Sequence, residues 1–302
     1  MPLAPIVLFA YNRPEHTRWT LEALQKNELA DESDLYFFSD GAKNETAKQQ
    51  IVQVRNYIRS VTGFRKVEII ERSENWGLAR SIISGVTEIV NKYGKIIVLE
   101  DDLVASPFFL KYMNEALDLY EREDNVISIH GYIYPVKEKL PETFFLRGAD
   151  CWGWATWKRG WEIFEPDGNK LLMELKDKKL TKEFDFDGSY PYVKMLEDQI
   201  ADKNNSWAIR WYASAFLANK LTLYPGESLV HNSGFDGSGT HSGIGGNVNR
   251  DGHFEDVKIN VNKTIIKEDL SARSAVIKYF KSNGGCRAKG LRYLKSFFRK
   301  TL

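Results

Sequence analysis

The chain is poor in cysteine: Cys151 and Cys286 are the only two in 302 residues. Two cysteines make no disulfide framework, and their separation matches no metal-ligand spacing, so a reducing compartment is expected. No charge of one sign dominates. Forty-two Lys and Arg stand against 41 Asp and Glu, a net charge of +1, which excludes a chain-wide trap for nucleic acid. No apolar run reaches transmembrane length. The apolar stretch Ile6–Ala10 has no basic leader and reads as a first strand, not a signal. Internal repeats and low-complexity tracts are also lacking. The length allows one large domain with a full core.

What is present, first, is alternation. Ile6–Ala10, Leu35–Ser39, Val67–Ile70 and Ile96–Leu99 are short apolar runs. They look like strands buried on both faces. Between them lie stretches with apolar residues at helical spacing. These are Glu15–Lys26 (Trp19, Leu21, Leu24), Thr46–Val61 (Ile51, Val54, Ile58) and Gly77–Tyr93 (Leu78, Ile82, Val86, Ile89, Val90). A β-α-β-α-β-α-β order at short intervals predicts an α/β fold with a parallel sheet and helices on both sides. Beyond it the spacing predicts helices over 107–123, 198–203 and 207–217. It predicts strands over 126–130, 144–146, 221–224 and 229–230.

The fourth apolar run empties into Glu100, Asp101 and Asp102. Open α/β sheets bind ligands at the carboxyl ends of their strands. Three adjacent acids there repel one another and lose hydration unless a cation or donors pair them. A hard divalent ion, Mg²⁺ or Mn²⁺, removes that cost and can also hold a diphosphate. An isolated Glu-Asp-Asp also serves as a solvated acidic turn. The other strand ends are polar too: Tyr11-Asn12-Arg13-Pro14, Ser39-Asp40-Gly41, and Asn75-Trp76-Gly77-Leu78-Ala79-Arg80. Asn75, Gly77 and Arg80 open a helix, a ready anion site; equally, Asn75 is a helix cap and Arg80 a solvated charge.

These four strand ends in this order resemble the nucleotide-binding half of GT-A fold glycosyltransferases, especially the family 2 type, over roughly the first 110 residues. The later Asp150-Cys151-Trp152-Gly153-Trp154, Trp207–Trp211 and a glycine-rich loop with His241 resemble, more loosely, N-acetylglucosaminyltransferase I and bacterial sugar transferases of surface polysaccharide assembly. The resemblance implies a Rossmann-like, mostly parallel sheet. Residues 1–110 would bind the nucleotide sugar, 111–270 the acceptor, and 271–302 form a basic tail. It implies Mn²⁺ or Mg²⁺ on Asp102. Glu100, Asp101, Tyr11, Asn12, Arg13, Asn75 and Arg80 would lie around the nucleotide, with Asp40 accepting from a base N–H, which favours a UDP-sugar. His241 or His231 would complete the metal shell or bind the diphosphate. Asp150 is the expected general base, with Asp198 and Asp202 as runners-up.

Chemistry of the residues points the same way: transfer from a nucleotide diphosphate sugar needs a neutralised leaving group, a base for the acceptor hydroxyl, and alignment. A base separate from the acidic motif fits inversion at the anomeric carbon. Trp152 and Trp154 suit sugar faces or a core equally. Alternative readings are a sugar-phosphate nucleotidyltransferase, whose glycine-rich loop after the first strand is replaced here by Ala10–Pro14, and a non-catalytic glycan-binding protein.

The segment Gly234–Gly252 holds seven glycines in nineteen residues, and its length suits a lid. From Ser271 onward there are nine Lys and Arg and no acid. Leu291, Leu294 and Phe298 share one helical face among Arg292, Lys295 and Arg299. That pattern fits an interfacial helix on an anionic membrane, a basic helix docked on the domain, or a disordered tail. The sequence therefore predicts a cytoplasmic, metal-dependent inverting glycosyltransferase, peripheral on the inner membrane face. It would act on a glycan or lipid-linked glycan, with no nucleic-acid partner.

Overall fold

The structure is a computed structural model that describes residues 2–235 and 257–282. In chain order its elements are β1 (Ile6–Ala10), α1 (Pro14–Gln25), β2 (Asp34–Ser39), α2 (Glu45–Ile58), β3 (Lys66–Glu71), α3 (Leu78–Tyr93), β4 (Lys95–Glu100), β5 (Leu103–Ala105) and α4 (Phe109–Leu119). Then come β6 (Val126–His130), β7 (Thr143–Arg147), β8 (Trp154–Trp157), α5 (Lys158–Trp161), α6 (Gly168–Asp177), α7 (Thr181–Phe184) and α8 (Tyr192–Ile200). The described residues close with α9 (Ala208–Leu217), β9 (Leu221–Pro225), β10 (Val230–Asn232) and α10 (Leu270–Ser282).

Eight strands form one sheet in the order β3-β2-β1-β4-β8-β6-β9-β7. The first four run parallel, with β1 hydrogen-bonded to both β2 and β4. The chain steps outward from β1 to β3, then returns to the other side of β1. That reversal leaves a crevice at the carboxyl ends of β1 and β4, where such sheets bind ligands. Alternation explains why these strands are apolar throughout. Ile6, Leu8, Ile97 and Leu99 pack into the core under α1, α2 and α4; Val7, Phe9, Ile96 and Val98 pack into the opposite core against α3. Asn44 caps α2 through the Ala47 N–H (2.9 Å), and α3 stops at Gly94, whose φ is 79°.

The second part of the aromatic stretch at 151–157 is a strand, β8, a role its composition did not disclose. β8 inserts antiparallel between β4 and β6, with Trp154 opposite Val98 and His130. Trp154 is fully buried and stacks on Trp207 at 5.5 Å, with Trp161 and Trp211 each at 5.8 Å. It is therefore core, and only Trp152 of the two sugar-stacking candidates keeps an open face. Two residues expected on inner helix faces point outward. Trp19 is 40% exposed against His16, and Leu78, the first residue of α3, is 45% exposed.

The helix expected over 198–203 is displaced toward the N-terminus, to Tyr192–Ile200. Asp185 accepts the Val193 N–H (2.7 Å) at its start, and Asp202 takes a left-handed φ of 54° that ends it. The tail expected from Ser271 begins as a docked helix. Asp269 caps α10 through the N–H groups of Ser271 and Ala272, and Ala272, Ala275, Val276 and Phe280 are buried. Arg273 pairs with Asp187 at 2.7 Å, and the preceding turn lies along the outer strand β7, where Asp269 N–H reaches Phe145 O. The interfacial face at 291–298 lies outside the described residues.

Because Trp154 fills the junction of β4, β6 and α9, Trp154→Ala is expected to cost about 3–5 kcal/mol of stability in urea unfolding. A loss under ~1 kcal/mol would contradict a core position.

Candidate functional site

Arg13 lies at the crevice between β1 and β4, and two acids share it. Its guanidinium pairs with Asp101 at very short range and with Asp102 at 2.9 Å. Burial pulls its pKa down, but these two charges outweigh burial and raise it overall. Asp101 is buried and also accepts the Tyr11 N–H at 3.2 Å. Its backbone carbonyl accepts from Thr20 Oγ1 (2.9 Å), which ties the acidic turn to α1. Asp102 is gripped from the far end of the chain: Ser233 N and Oγ both reach its carbonyl, at 2.8 and 3.1 Å. The neighbouring Gly234 passes so close that a Cβ there would sit 2.5 Å from Asp102 Oδ2 and 3.1 Å from Arg13 Nη1. No larger residue fits without moving the carboxylate.

Three carboxylates thus face one guanidinium. Glu100 records the imbalance. Burial, then the charges of Asp102 and Asp101, push its carboxyl up to about 8, with Arg13 opposing. Asp101 is also shifted upward, by burial first. The donor set, hard carboxylate oxygens with excess negative charge, fits Mg²⁺ or Mn²⁺. Among the described residues, however, no group of three or more His, Cys, Asp and Glu is arranged to hold an ion. The protein would supply only part of the coordination, with Asp102 the acid that keeps an opening.

A second cluster closes the end of β2. Asp40 does not reach the acids; its oxygens accept the N–H groups of Trp76 (2.9 Å) and Gly77 (2.8 Å) and the Asn75 amide (3.1 Å). Gly41 is required there, because a Cβ would lie 2.2 Å from the Glu74 backbone. The structure therefore brings Asp40 and Asn75 together, and fixes the turn that opens α3. Trp76 is held between two guanidinium groups, Arg72 at 3.9 Å and Arg80 at 4.1 Å from its ring centre. Arg55 of α2 ties this corner by donating to the carbonyls of Asp40 (3.2 Å) and Arg72 (2.7 Å). Tyr11 accepts the Lys43 N–H at 2.9 Å and so bridges the two clusters, whereas Asn12 turns to Gln50.

Asp150 is partly exposed at the same sheet edge. Its Oδ1 accepts the Cys151 N–H (2.8 Å) and lies 4.0 Å from His130 Nε2. His130 went unnoticed in the sequence, where it only ends a strand. It is fully buried, and its Nε2 accepts the Trp152 N–H at 3.0 Å, so the proton sits on Nδ1 and the ring is neutral. Burial lowers its pKa, with Asp150 opposing. Cys151 lies between the two acidic groups: burial, then Asp150, Glu100 and Asp102, push its thiol well up. Of the other base candidates, Asp198 is buried and paired with Lys194 and with Lys203 (3.7 Å), and Asp202 is an exposed turn residue. His231 sits on β10 opposite Val104. His241 lies outside the described residues.

Residues 6–180, more than half of the chain, match the family model described as glycosyl transferase family 2. No curated protein matches by sequence. Among solved structures, the chain is similar to a mannosyltransferase from Pyrobaculum calidifontis in complex with GDP-Man and Mn²⁺, at 12% identity and a TM-score of 0.34. That alignment covers 44% of this chain and 36% of the other. It is similar to S. aureus TarS in complex with UDP, at 13% identity and a TM-score of 0.33, over 45% of this chain and 38% of that one. A UDP-glucose pyrophosphorylase complexed with UDP-glucose aligns over 74% of this chain and 90% of its own, at 10% identity and a TM-score of 0.35. The chain thus spans little more than a third of the first two.

Glu100 supplies a pH test. An acid with a raised folded pKa stabilises the fold while neutral, and loses that contribution as pH rises from about 4.5 through about 8. In chelator, the melting temperature of the unmodified protein should fall more between pH 5 and 8.5 than that of Glu100→Gln. Equal slopes would overturn the assignment.

Proposed function

This chain belongs to glycosyl transferase family 2, and on that premise we propose that it transfers a sugar from a nucleotide diphosphate donor to a hydroxyl of a glycan or lipid-linked glycan, with inversion. Its fold is the GT-A fold; the transfer activity, the metal, the mechanism and the substrates are our reading. The observation that carries it is the crevice between β1 and β4, where three acids meet a single arginine beside a base held on a separate turn.

In this reading Asp102, helped by Glu100, holds Mn²⁺ or Mg²⁺, which when bound supplies positive charge to the leaving diphosphate. Arg13 orients Asp101 and Asp102 so that neither swings away when the ion is absent. Trp76, flanked by Arg72 and Arg80, offers an aromatic and cationic surface to the nucleotide, and Asp40 shapes that surface through the turn it fixes. A UDP-sugar stays the donor to test first, although Asp40, taken up by the 75–77 turn, no longer speaks for its base. Asp150 takes the proton from the acceptor hydroxyl, and His130 keeps the 150–152 turn in place. Surface polysaccharide assembly is the setting we favour. Among the described residues no helix is long and apolar enough to cross a membrane. Contact with an anionic membrane on the cytoplasmic face would fall to residues 283–302.

A panel of nucleotide sugars, scored by thermal shift with Mn²⁺, tests the reading. One donor should raise the melting temperature, and Asp102→Ala should abolish the rise. Asp150→Ala should keep it, yet lose roughly 10²–10⁴-fold in nucleotide release with acceptor present. A rise that survives Asp102→Ala, or full turnover in Asp150→Ala, would sink it.

A further inference from the structure

Beside Asp150 the surface is unusually aromatic, and much of it comes from beyond residue 180, where the family match ends. Trp152 meets Tyr132 edge-on at 4.7 Å, and Tyr132 meets Tyr134 edge-on at 5.4 Å. The Tyr134 hydroxyl lies 3.4 Å from that of Tyr192, whose ring is 4.4 Å from Tyr190. From the last helix, Tyr279 stands 5.7 Å from Tyr134. The buried Phe280 anchors the set, 4.8 Å from both Tyr134 and Tyr190. All six rings before it are half-buried, each keeping part of its surface open. Four separate segments converge to make this belt, so it is not the by-product of one amphipathic element.

We infer that this belt is a sugar-binding platform extending away from Asp150, which takes a second and third unit of an oligosaccharide acceptor. The inference rests on the glycosyltransferase reading and adds the acceptor class: a chain of sugars, not a single sugar. Three features support it. The belt is continuous with the expected base, since Trp152 is two residues from Asp150 and its backbone N–H donates to His130 Nε2. The Asp150 charge reaches along it, for burial and then Asp150 push the Tyr192 hydroxyl well up. Its chemistry is mixed: ring faces suit the C–H faces of pyranoses, and phenol hydroxyls suit their hydroxyl rims. α10 contributes through Tyr279 and Phe280, so the helix locked down by Arg273 is a wall of this platform.

Saturation-transfer NMR on the full-length protein tests this. The probes are mono- and tetrasaccharides of glucose, mannose and N-acetylglucosamine, with UDP–Mn²⁺ binding as an independent arm. At least one tetrasaccharide should bind about tenfold more tightly than its monosaccharide. Tyr279→Ala should erase the difference, while Tyr279→Phe keeps it and controls for folding. UDP–Mn²⁺ binding should be unchanged in both variants. Equal affinities for short and long sugars in every series, or no tetrasaccharide binding at all while UDP–Mn²⁺ binds, would overturn the platform. Tyr279-dependent tetrasaccharide binding without any nucleotide binding would instead overturn the donor reading and leave the platform standing.

Discussion

One guanidinium between two carboxylates organises this molecule. Arg13 enters from the first strand's loop and meets Asp101 and Asp102 at the end of the fourth strand, nearly ninety residues later. Without it, three acids would be packed together at a partly buried strand end, each raising the cost of ionising the next. With it, the cluster is still short of positive charge, and burial together with that shortfall raises the pKa of Glu100. Stability and function therefore pull on the same spot. The fold tolerates the acids because Arg13 is there, and the remaining deficit is an attraction for a cation. Chain segments from both ends hold the arrangement: Thr20 from α1 and Ser233 after β10 each fasten a backbone carbonyl of the acidic turn.

The sheet explains why the two halves of the site can face each other. Its first four strands are parallel and send their loops to one edge. β8 runs against them, so its beginning, not its end, arrives at that edge. Asp150, just before β8, is thereby delivered beside the crevice where the acids end β4. A single reversed strand thus places Asp150 on the edge that carries the three acids. The Asp40 corner is a separate rigid unit, with a buried carboxylate saturated by backbone N–H groups and a tryptophan fixed between arginines.

Much of the first half was legible in the sequence. β1 to β4 announce themselves because strands buried on both faces must be apolar at every position, and the helices between them carry 3.6-residue spacing. The acids were legible because they are adjacent. What was hidden depends on contacts distant in the chain. Trp154 and Trp152 are two residues apart in one motif, yet the first is sealed by Trp207 and Trp211 and the second is open, a distinction only the register of β8 makes. β5 is three residues long, too short for a pattern. The resemblance sets Arg13 near the nucleotide, but nothing in the sequence says that it pairs with Asp101 and Asp102, which lie far along the chain. The resemblance implies that Asp40 accepts from a base N–H, but its carboxylate faces the 75–77 turn, because nothing local says that this turn would fold back over it. His130 gave no signal, since a histidine closing an apolar strand looks like any other strand end.

The docking of α10 has a consequence for how the protein comes into being. Strands β1 to β4 are contiguous in the chain and can pair as they leave the ribosome. The aromatic belt cannot be finished then, because Tyr279 and Phe280 follow every strand of the sheet in the chain. Until that helix emerges, the nascent chain carries an open aromatic face and an outer strand, β7, that still lacks its neighbouring turn. The interval before synthesis passes α10 is thus the period when the growing polypeptide most needs shielding from its neighbours.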